Sequence, residues 1–426
     1  MDKFLINGGR PLNGTVKISG AKNAVLPLMA ATIIVPGVYR INRVPNLKDT
    51  RTMIKLLEII GCDIEYKGTN LIIDSTQCNN PEAPYDLVKT MRASFYVLGP
   101  LLARFGYAKV SMPGGCAWGP RPINFHIDAM RMIGAEIELE DGYIIAKGEK
   151  LNGGDIDFKV SSVGATGNAL MAAVRAFGIT KISNAATEPE IVCLCKFLEK
   201  MGARISGIGS HELRIEGSET MNPANVEIIP DRIEAATFLI AGAMVGNAIT
   251  VDQVNPDHLS SVLEKLNEVG NKIIVEKDRV SIKSIGRPKS SNMVTGIYPG
   301  FPTDAQAQWM AYMSIGDGES LITDTVYIDR FTHISELNRL GSEINLFQVI
   351  SSVEGKMDAT QCGGTADCHS GSRCLAHDLW TDLTQHVDNF LLERSLDDVI
   401  LKLTPDISNS SSTLKQIRTI DLIAKS

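Results

Sequence analysis

The chain has 426 residues, of which 44% are hydrophobic and 21% charged, with a formal net charge of −7. That length exceeds one compact core and predicts two domains, and the acidic balance excludes a broad nucleic-acid surface, leaving clustered basic residues to small anions. Met1-Asp2-Lys3-Phe4 has no signal-peptide layout, the apolar run Val25 to Val35 is broken by Pro27 and too short to span a bilayer, and eight cysteines without a secretory signal predict reduced thiols in the cytoplasm.

Taken in order, the chain repeats one phrase: an apolar helix-like run, a glycine, then a short alternating segment. It reads Leu56-Leu57-Glu58-Ile59-Ile60-Gly61-Cys62-Asp63-Ile64 and returns around Gly134, Gly202, Gly270 and Gly341, spaced 73, 68, 68 and 71 residues apart. Glycine just past a helix is the favoured left-handed cap, and the alternation after it reads as a strand. A degraded sixth copy, Val399 to Ile407, has no glycine. A polar or small cap followed by an apolar helix recurs at the same period, near Lys22, Arg92, Gly164, Asp231, Asp304 and Asp367. Six units of about 71 residues, each of two helices and a few strands, account for the chain and group three and three. Each unit presents a helix N-terminus with free N–H groups and partial positive charge, so the pattern predicts a protein that grips phosphates or carboxylates between two halves.

Five stretches carry candidate chemistry. Lys22 sits among small residues at a helix start, as expected either for an anion ligand or for a solvated lysine. Arg92 opens a helix, where a cation opposes the macrodipole; it clamps an anion or closes a structural ion pair. The loop Pro113 to Pro122 holds three glycines and three prolines around Cys116, with Arg121 five residues on. A nearby cation lowers a thiol's pKa, although a free cysteine also serves as a small hydrophobe in a turn. Val160 to Gly167 looks like a backbone anion cradle but lacks the Gly-Lys-Ser/Thr of a P-loop. Tyr298 to Gln306 is a rigid approach to a helix, in which Thr303 or Asp304 is a cap or Asp304 a base.

Jointly, Ser19-Gly20-Ala21-Lys22-Asn23, Met91-Arg92-Ala93-Ser94, Gly114-Gly115-Cys116-Ala117, Arg121-Pro122, Ser162-Val163-Gly164-Ala165-Thr166, Asn184-Ala185-Ala186, Glu188-Pro189-Glu190 and Phe301-Pro302-Thr303-Asp304 resemble the enolpyruvyl transferases. The likeness is to the branch that uses UDP-N-acetylglucosamine, and it is close from residue 1 to about 345. It implies an α/β fold of α+β repeats: a two-domain inside-out barrel, three units per domain about a pseudo-threefold axis, helices inside and sheets outside. One domain would comprise 1–21 and 230–426 and carry Asp304 and Arg394. The other, 22–229, would carry Lys22, Arg92 and the Cys116 loop. The implied reaction moves the enolpyruvyl group of phosphoenolpyruvate to the 3′-hydroxyl of UDP-N-acetylglucosamine and releases phosphate, at the first committed step of peptidoglycan synthesis, with no metal or other cofactor. By motif, Cys116 protonates the enol carbon and is the target of epoxides such as fosfomycin, and Asp304 takes the sugar's proton. Lys22, Arg121 and Arg394 hold phosphoenolpyruvate. Asn23, Arg92, Arg121, Pro122, Ile123, Asn124, Phe125, Ser162, Val163, Gly164 and Val326 contact the UDP-sugar, and with Lys22 and Asp304 they make up the substrate-binding set. Two other readings stay open: the shikimate-pathway relative, against which the cysteine loop argues, and a diverged member that binds the UDP-sugar without turnover.

The last eighty or so residues depart from the family. Asp367-Cys368-His369-Ser370 stands where the family has Asp-Leu-Arg-Ala, and Glu393-Arg394-Ser395-Leu396 lacks the family's Gly and Tyr, which leaves Arg394 open. Cys362, Cys368, Cys374, His369, His377 and His386 crowd this stretch without a Cys-x-x-Cys pair, favouring diverged thiols over zinc.

Overall fold

A computed structural model describes residues 10–88, 91–112, 123–327, 330–344 and 376–392. The chain divides into two compact units, Met1–Lys289 with Thr295–Tyr312, and Ser290–Val294 with Met313–Ser426.

The first three repeats share one plan. An apolar helix comes first: Lys22–Ala31, then Leu98–Phe105 entered through a 3-10 turn Arg92–Val97, then Val163–Ala173. A strand follows (Val38–Asn42, Tyr107–Ser111, Ile179–Ser183), then an amphipathic helix (Lys48–Ile60, Asn124–Met132, Pro189–Lys200). A hairpin and one short strand complete each repeat. The five repeat glycines all adopt left-handed backbone, with φ of 103° at Gly61, 94° at Gly134, 107° at Gly202, 103° at Gly270 and 96° at Gly341. L-residues pay a steric cost there, which is why glycine recurs at that point of every copy.

The short last strand does not join its own hairpin. Glu82–Ala83 pairs in parallel with Tyr107–Ser111, and Asp155–Asp157 with Ile179–Ser183. Val226–Glu227 of the third repeat pairs in parallel with Val38–Asn42 of the first, which closes three four-stranded sheets into a ring. In the fourth repeat, Arg232–Val245 leads to a sheet of Gly246–Asp252, Arg279–Lys283 and Lys272–Val275, and Leu12–Lys17 fills the lent-strand position beside Gly246–Asp252. In the second compact unit, Met293–Val294 pairs in parallel with Ile322–Thr323, and Ile334–Arg339 and His377–Leu392 are helical.

Burial follows composition. The first helices of the first and third repeats lie in the core, Ala24 to Ala31 and Ala165 to Ala173 being buried throughout, while Leu98–Phe105 buries Leu98 to Leu102 and leaves Ala103 to Phe105 half-buried. The strands alternate, Tyr39 and Ile41 inward, Val38, Arg40 and Asn42 outward, as expected of a sheet with one covered face. Helices therefore lie inside and sheets outside. Tyr39 meets Phe197 of the third repeat edge to face, ring centres 6.2 Å apart, so the closure is packed as well as hydrogen-bonded. The Val25 to Val35 run is the central core helix and the turn after it. No helix among the described residues is long and apolar enough to cross a membrane.

A Cβ at Gly202 would lie 3.2 Å from the Thr220 carbonyl oxygen. Gly202→Ala should lower unfolding stability by about 1–2 kcal/mol through left-handed strain; an unchanged denaturant midpoint would remove the cap argument.

Candidate functional site

Three of the sequence-selected stretches meet through one buried amide. Asn168, fully buried in the helix Val163–Ala173, accepts from Gly99 N through Oδ1 at 2.9 Å. Its Nδ2 donates to the Phe95 carbonyl at 2.9 Å and lies 2.8 Å from His126 Nδ1. An amide nitrogen only donates, so Nδ1 accepts and the neutral imidazole carries its proton on Nε2. Phe95 belongs to the turn that Arg92 opens, and its ring meets His126 edge to face at 4.9 Å. His126 lies in the first turn of the helix whose start includes Ile123, Asn124 and Phe125. A Cβ on Gly164 would touch the His126 ring at 3.1 Å. The stretches at 92, 123–125 and 162–164 are thus fixed to one polar node. Ser162 caps its helix, its Oγ accepting from Ala165 N at 3.4 Å. Val163 and Gly164 stand in the first turn of this helix, where backbone N–H groups have no intrahelical acceptor.

A second node lies where the chain passes residues 20 and 230. Gly20 bridges Pro230, Ala21 N donates to Ile229 O at 2.8 Å and Asp231 N to Ser19 O at 3.0 Å, so the two passages run antiparallel side by side. A Cβ on Gly20 would strike the Arg43 carbonyl oxygen at 1.9 Å, so only glycine fits this position of the Ser19-Gly20-Ala21-Lys22 motif. Asp231 Oδ1 caps Arg232–Val245 by accepting from Ile233 N (2.9 Å) and Glu234 N (3.0 Å). Its Oδ2 accepts from Lys22 N at 3.1 Å. One carboxylate therefore serves the starts of two helices. Glu234 accepts from both the backbone and the hydroxyl of Ser19. Asn23 is half-buried beside Lys22, whose Nζ is half-exposed and sits 3.6 Å from Asp49.

Asp304 is exposed within the 3-10 turn Thr303–Ala305, whose N-cap position is taken by Pro302. The approach to it is pinned on several sides. Thr187 Oγ1 donates to the Tyr298 carbonyl at 3.0 Å and Ser261 Oγ to that of Gly300 at 3.1 Å. Phe301 packs on buried Trp309 at 5.6 Å. The Arg232 guanidinium lies over the Tyr298 ring at 5.4 Å and binds Glu190 Oε1 at 3.0 Å, an ion pair with side chains only 12% and 4% exposed. Lys22, Asp231, Arg232 and Tyr298 thus form one connected path toward Asp304. Burial pushes the Glu188 carboxyl up and His258, beside Glu190 and Arg232, down.

Cys116, Arg121, Pro122 and Arg394 lie outside the described residues, as does the side chain of Arg92. So do Cys362, Cys368, Cys374 and His369. Val326 is exposed in the second unit, its N–H donating to Asp324 Oδ1 at 3.0 Å. No metal-binding cluster of His, Cys, Asp and Glu occurs among the described residues. His126, Asn168 and Arg232 gave no clear signal as site supports in sequence, and Glu190 was marked only as part of the Glu188-Pro189-Glu190 motif, though an asparagine among Ala, Leu and Met in a core helix marks a buried polar node.

A family model described as EPSP synthase (3-phosphoshikimate 1-carboxyvinyltransferase) matches residues 6–369. Among solved structures, the enolpyruvyl transferase NikO from Streptomyces tendae is similar with a TM-score of 0.72 at 23% identity, covering 79% of this chain and 80% of its own. EPSP synthase from Acinetobacter baumannii is similar at a TM-score of 0.57 and 16% identity, covering 75% of each chain. The ring of repeats is thus the enolpyruvyl transferase fold, and the chain belongs to that family. Within it, curated relatives named UDP-N-acetylglucosamine 1-carboxyvinyltransferase are far more similar. That of Chloroherpeton thalassium is 52% identical over 358 residues, 83% of each chain. That of Chlorobaculum parvum is 46% identical over 409 residues, 95% of this chain and 96% of its own. That of Geobacter metallireducens is 44% identical over 406 residues, 95% and 97% respectively.

His258 Nε2 takes the Asn255 amide at 3.0 Å, while its Nδ1 is buried with no partner among the described residues. A histidine whose folded pKa is depressed contributes stability above its unfolded value of about 6.5, lost as pH falls through the lower folded value. His258→Gln keeps an acceptor and removes the titration. Between about pH 7.5 and about pH 5 the variant should lose less unfolding free energy than the wild type. Parallel losses would exclude His258 as an acid-sensitive group.

Proposed function

We propose that this chain transfers the enolpyruvyl group of phosphoenolpyruvate to the 3′-hydroxyl of UDP-N-acetylglucosamine, releasing phosphate and committing the sugar to peptidoglycan, in the cytoplasm. What carries this reading is identity of 44–52% to enzymes of that name over more than four fifths of both chains, together with the Gly114-Gly115-Cys116-Ala117 loop. The shikimate reading has in its favour the description of the matching family model and the shared fold, but its solved examples are only 16% identical.

In this mechanism Asp304 removes the proton of the 3′-hydroxyl and the sugar oxygen attacks C2 of phosphoenolpyruvate. Cys116 donates a proton to C3, giving a tetrahedral phospho-ketal. Loss of phosphate and of a C3 proton then restores the vinyl group. The intermediate carries several negative charges, so fixed cations and N–H donors stabilise it. Lys22, Arg121 and Arg394 supply the cations. The Lys22–Asp49 pair is long and half-exposed, hence weak, and leaves the ammonium free to exchange to an anion. Asn23, Arg92, Arg121 to Phe125, Ser162 to Gly164 and Val326 hold the UDP-sugar. The His126–Asn168 node keeps three of these stretches in register, consistent with a preorganised sugar site. Two domains, 22–229 and 1–21 with 230–426, close on the sugar. The ring completed by Val226–Glu227 and the paired passages at 20 and 230 support that division.

Phosphate should be released from phosphoenolpyruvate with UDP-N-acetylglucosamine and not with shikimate 3-phosphate. UDP-sugar binding without release would leave a binding protein. Asp304→Asn should bind the UDP-sugar and lose about two to four orders of magnitude in turnover, as expected of a lost general base; normal turnover would make Asp304 a turn residue. Fosfomycin should label Cys116 ahead of the other thiols, faster with the UDP-sugar present, and Cys116→Ser should abolish labelling. Label spread over several cysteines in peptide maps would deny Cys116 its special setting.

A further inference from the structure

Cys62 and Cys78 belong to none of the machinery above. Their Sγ atoms are 2.8 Å apart, and the residues are 6% and 5% exposed. Backbone geometry, more than side-chain rotamers, brings them together. Cys62 follows Gly61, the cap of Lys48–Ile60, and its N–H donates to Leu57 O at 2.9 Å. Cys78 lies in the turn after Asn70–Asp74, its N–H donating to Ser75 O at 3.2 Å. The N–H groups of Asn79 and Asn80 both donate to Ile60 O at 3.2 Å, lashing that turn to the helix end. A Cβ on Gly61 would lie 3.2 Å from Cys78 Cα, in a left-handed backbone conformation that side chains rarely adopt, so a larger residue would push the two segments apart. Arg104 Nη2 donates to the Cys78 carbonyl at 3.3 Å and holds a cation beside the pair.

The thiol–thiol hydrogen bond pushes Cys62 up, with burial adding to it, and pulls Cys78 down, with Arg104 assisting and burial opposing. Thiolate on one sulfur and a neighbouring thiol to resolve it are what disulfide exchange requires. The chain carries its own comparison: Cys193 and Cys195, two residues apart on Pro189–Lys200, are buried and raised by burial, Cys195 to about 12. Residues two apart on a helix do not face each other.

We propose that Cys62 and Cys78 are a reversible disulfide-forming site, oxidised by small-molecule disulfides of the glutathione class and reduced by thiols. Cys78 thiolate attacks one sulfur of the oxidant, forming a mixed disulfide and expelling the other half as thiolate. Cys62 then loses its proton to solvent, attacks the Cys78 sulfur and expels the second half. Two protein thiols are oxidised by two electrons, and one small disulfide becomes two thiols. The flanking Thr76, Gln77 and Asn79 are exposed, so opening of this turn admits the oxidant. The bond joins the end of Lys48–Ile60 to the segment leading into Glu82–Ala83, the strand lent to the second repeat, and so anchors the base of that lent strand within its own repeat.

The test treats the intact wild-type chain with oxidised glutathione, blocks remaining thiols with iodoacetamide and maps peptides without reduction. The expected product is one cross-linked peptide pair joining Cys62 to Cys78, two hydrogen masses lighter, with Cys193 and Cys195 alkylated. The oxidised protein should melt roughly 5 °C or more higher, the gain vanishing on reduction and absent from Cys78→Ser. Recovery of Cys62 and Cys78 separately alkylated, or each bearing glutathione, would overturn the proposal. So would the same thermal gain in Cys78→Ser.

Discussion

One carboxylate organises the middle of this molecule. Asp231 accepts from Ile233 and Glu234 at the head of one helix and from Lys22 at the head of another. Helix starts leave N–H groups without intrahelical partners, and an ion is the best acceptor for them. Because these two helices begin where the chain passes residues 20 and 230, Asp231 couples their positions directly. The next residue, Arg232, continues the coupling through Glu190 and Tyr298 toward Asp304. A buried ion pair with one partner removed leaves an uncompensated charge, so this path resists small displacements more than an apolar contact would.

The arrangement separates two duties. Groups proposed to meet substrate, Lys22 and Asp304 among them, are exposed or half-exposed, whereas the groups that hold them, Asp231, Glu190, Arg232 and Asn168, are buried or nearly so and hydrogen-bonded. A site that binds anions needs cations that can change partner, and a scaffold that cannot. The weak Lys22–Asp49 contact and the 3.0 Å Arg232–Glu190 pair show the two conditions within one motif neighbourhood.

Much of this was legible in the sequence because it rests on local rules. Gly61, Gly134, Gly202, Gly270 and Gly341 announce left-handed caps, and all five adopt them. The apolar helices without a polar face announce burial on all sides, and Lys22–Ala31 and Val163–Ala173 have it. The family motifs announce the reaction. What stayed hidden depends on pairing across long separations. Nothing in Val226-Glu227 says that its partner is Val38–Asn42, and nothing around Glu190 names Arg232. His126 and Asn168 read singly as an incidental histidine and a helix asparagine; their meaning lies in a distance of 2.8 Å between residues 42 apart in the chain.

The strand exchange that closes the first three repeats bears on how the protein is made. During synthesis the outer edge of Val38–Asn42 is complete only when Val226–Glu227 has emerged, about 180 residues later. Until then the first repeat presents unpaired N–H and C=O groups along a parallel edge, the kind of surface that recruits foreign strands. Arg40 and Asn42 stand with Val38 on the exposed face of that strand, which keeps the face beside the waiting edge largely polar. With one or two repeats made, the strand Val38–Asn42 still waits for its lent partner, and the third repeat supplies the strand that completes the ring.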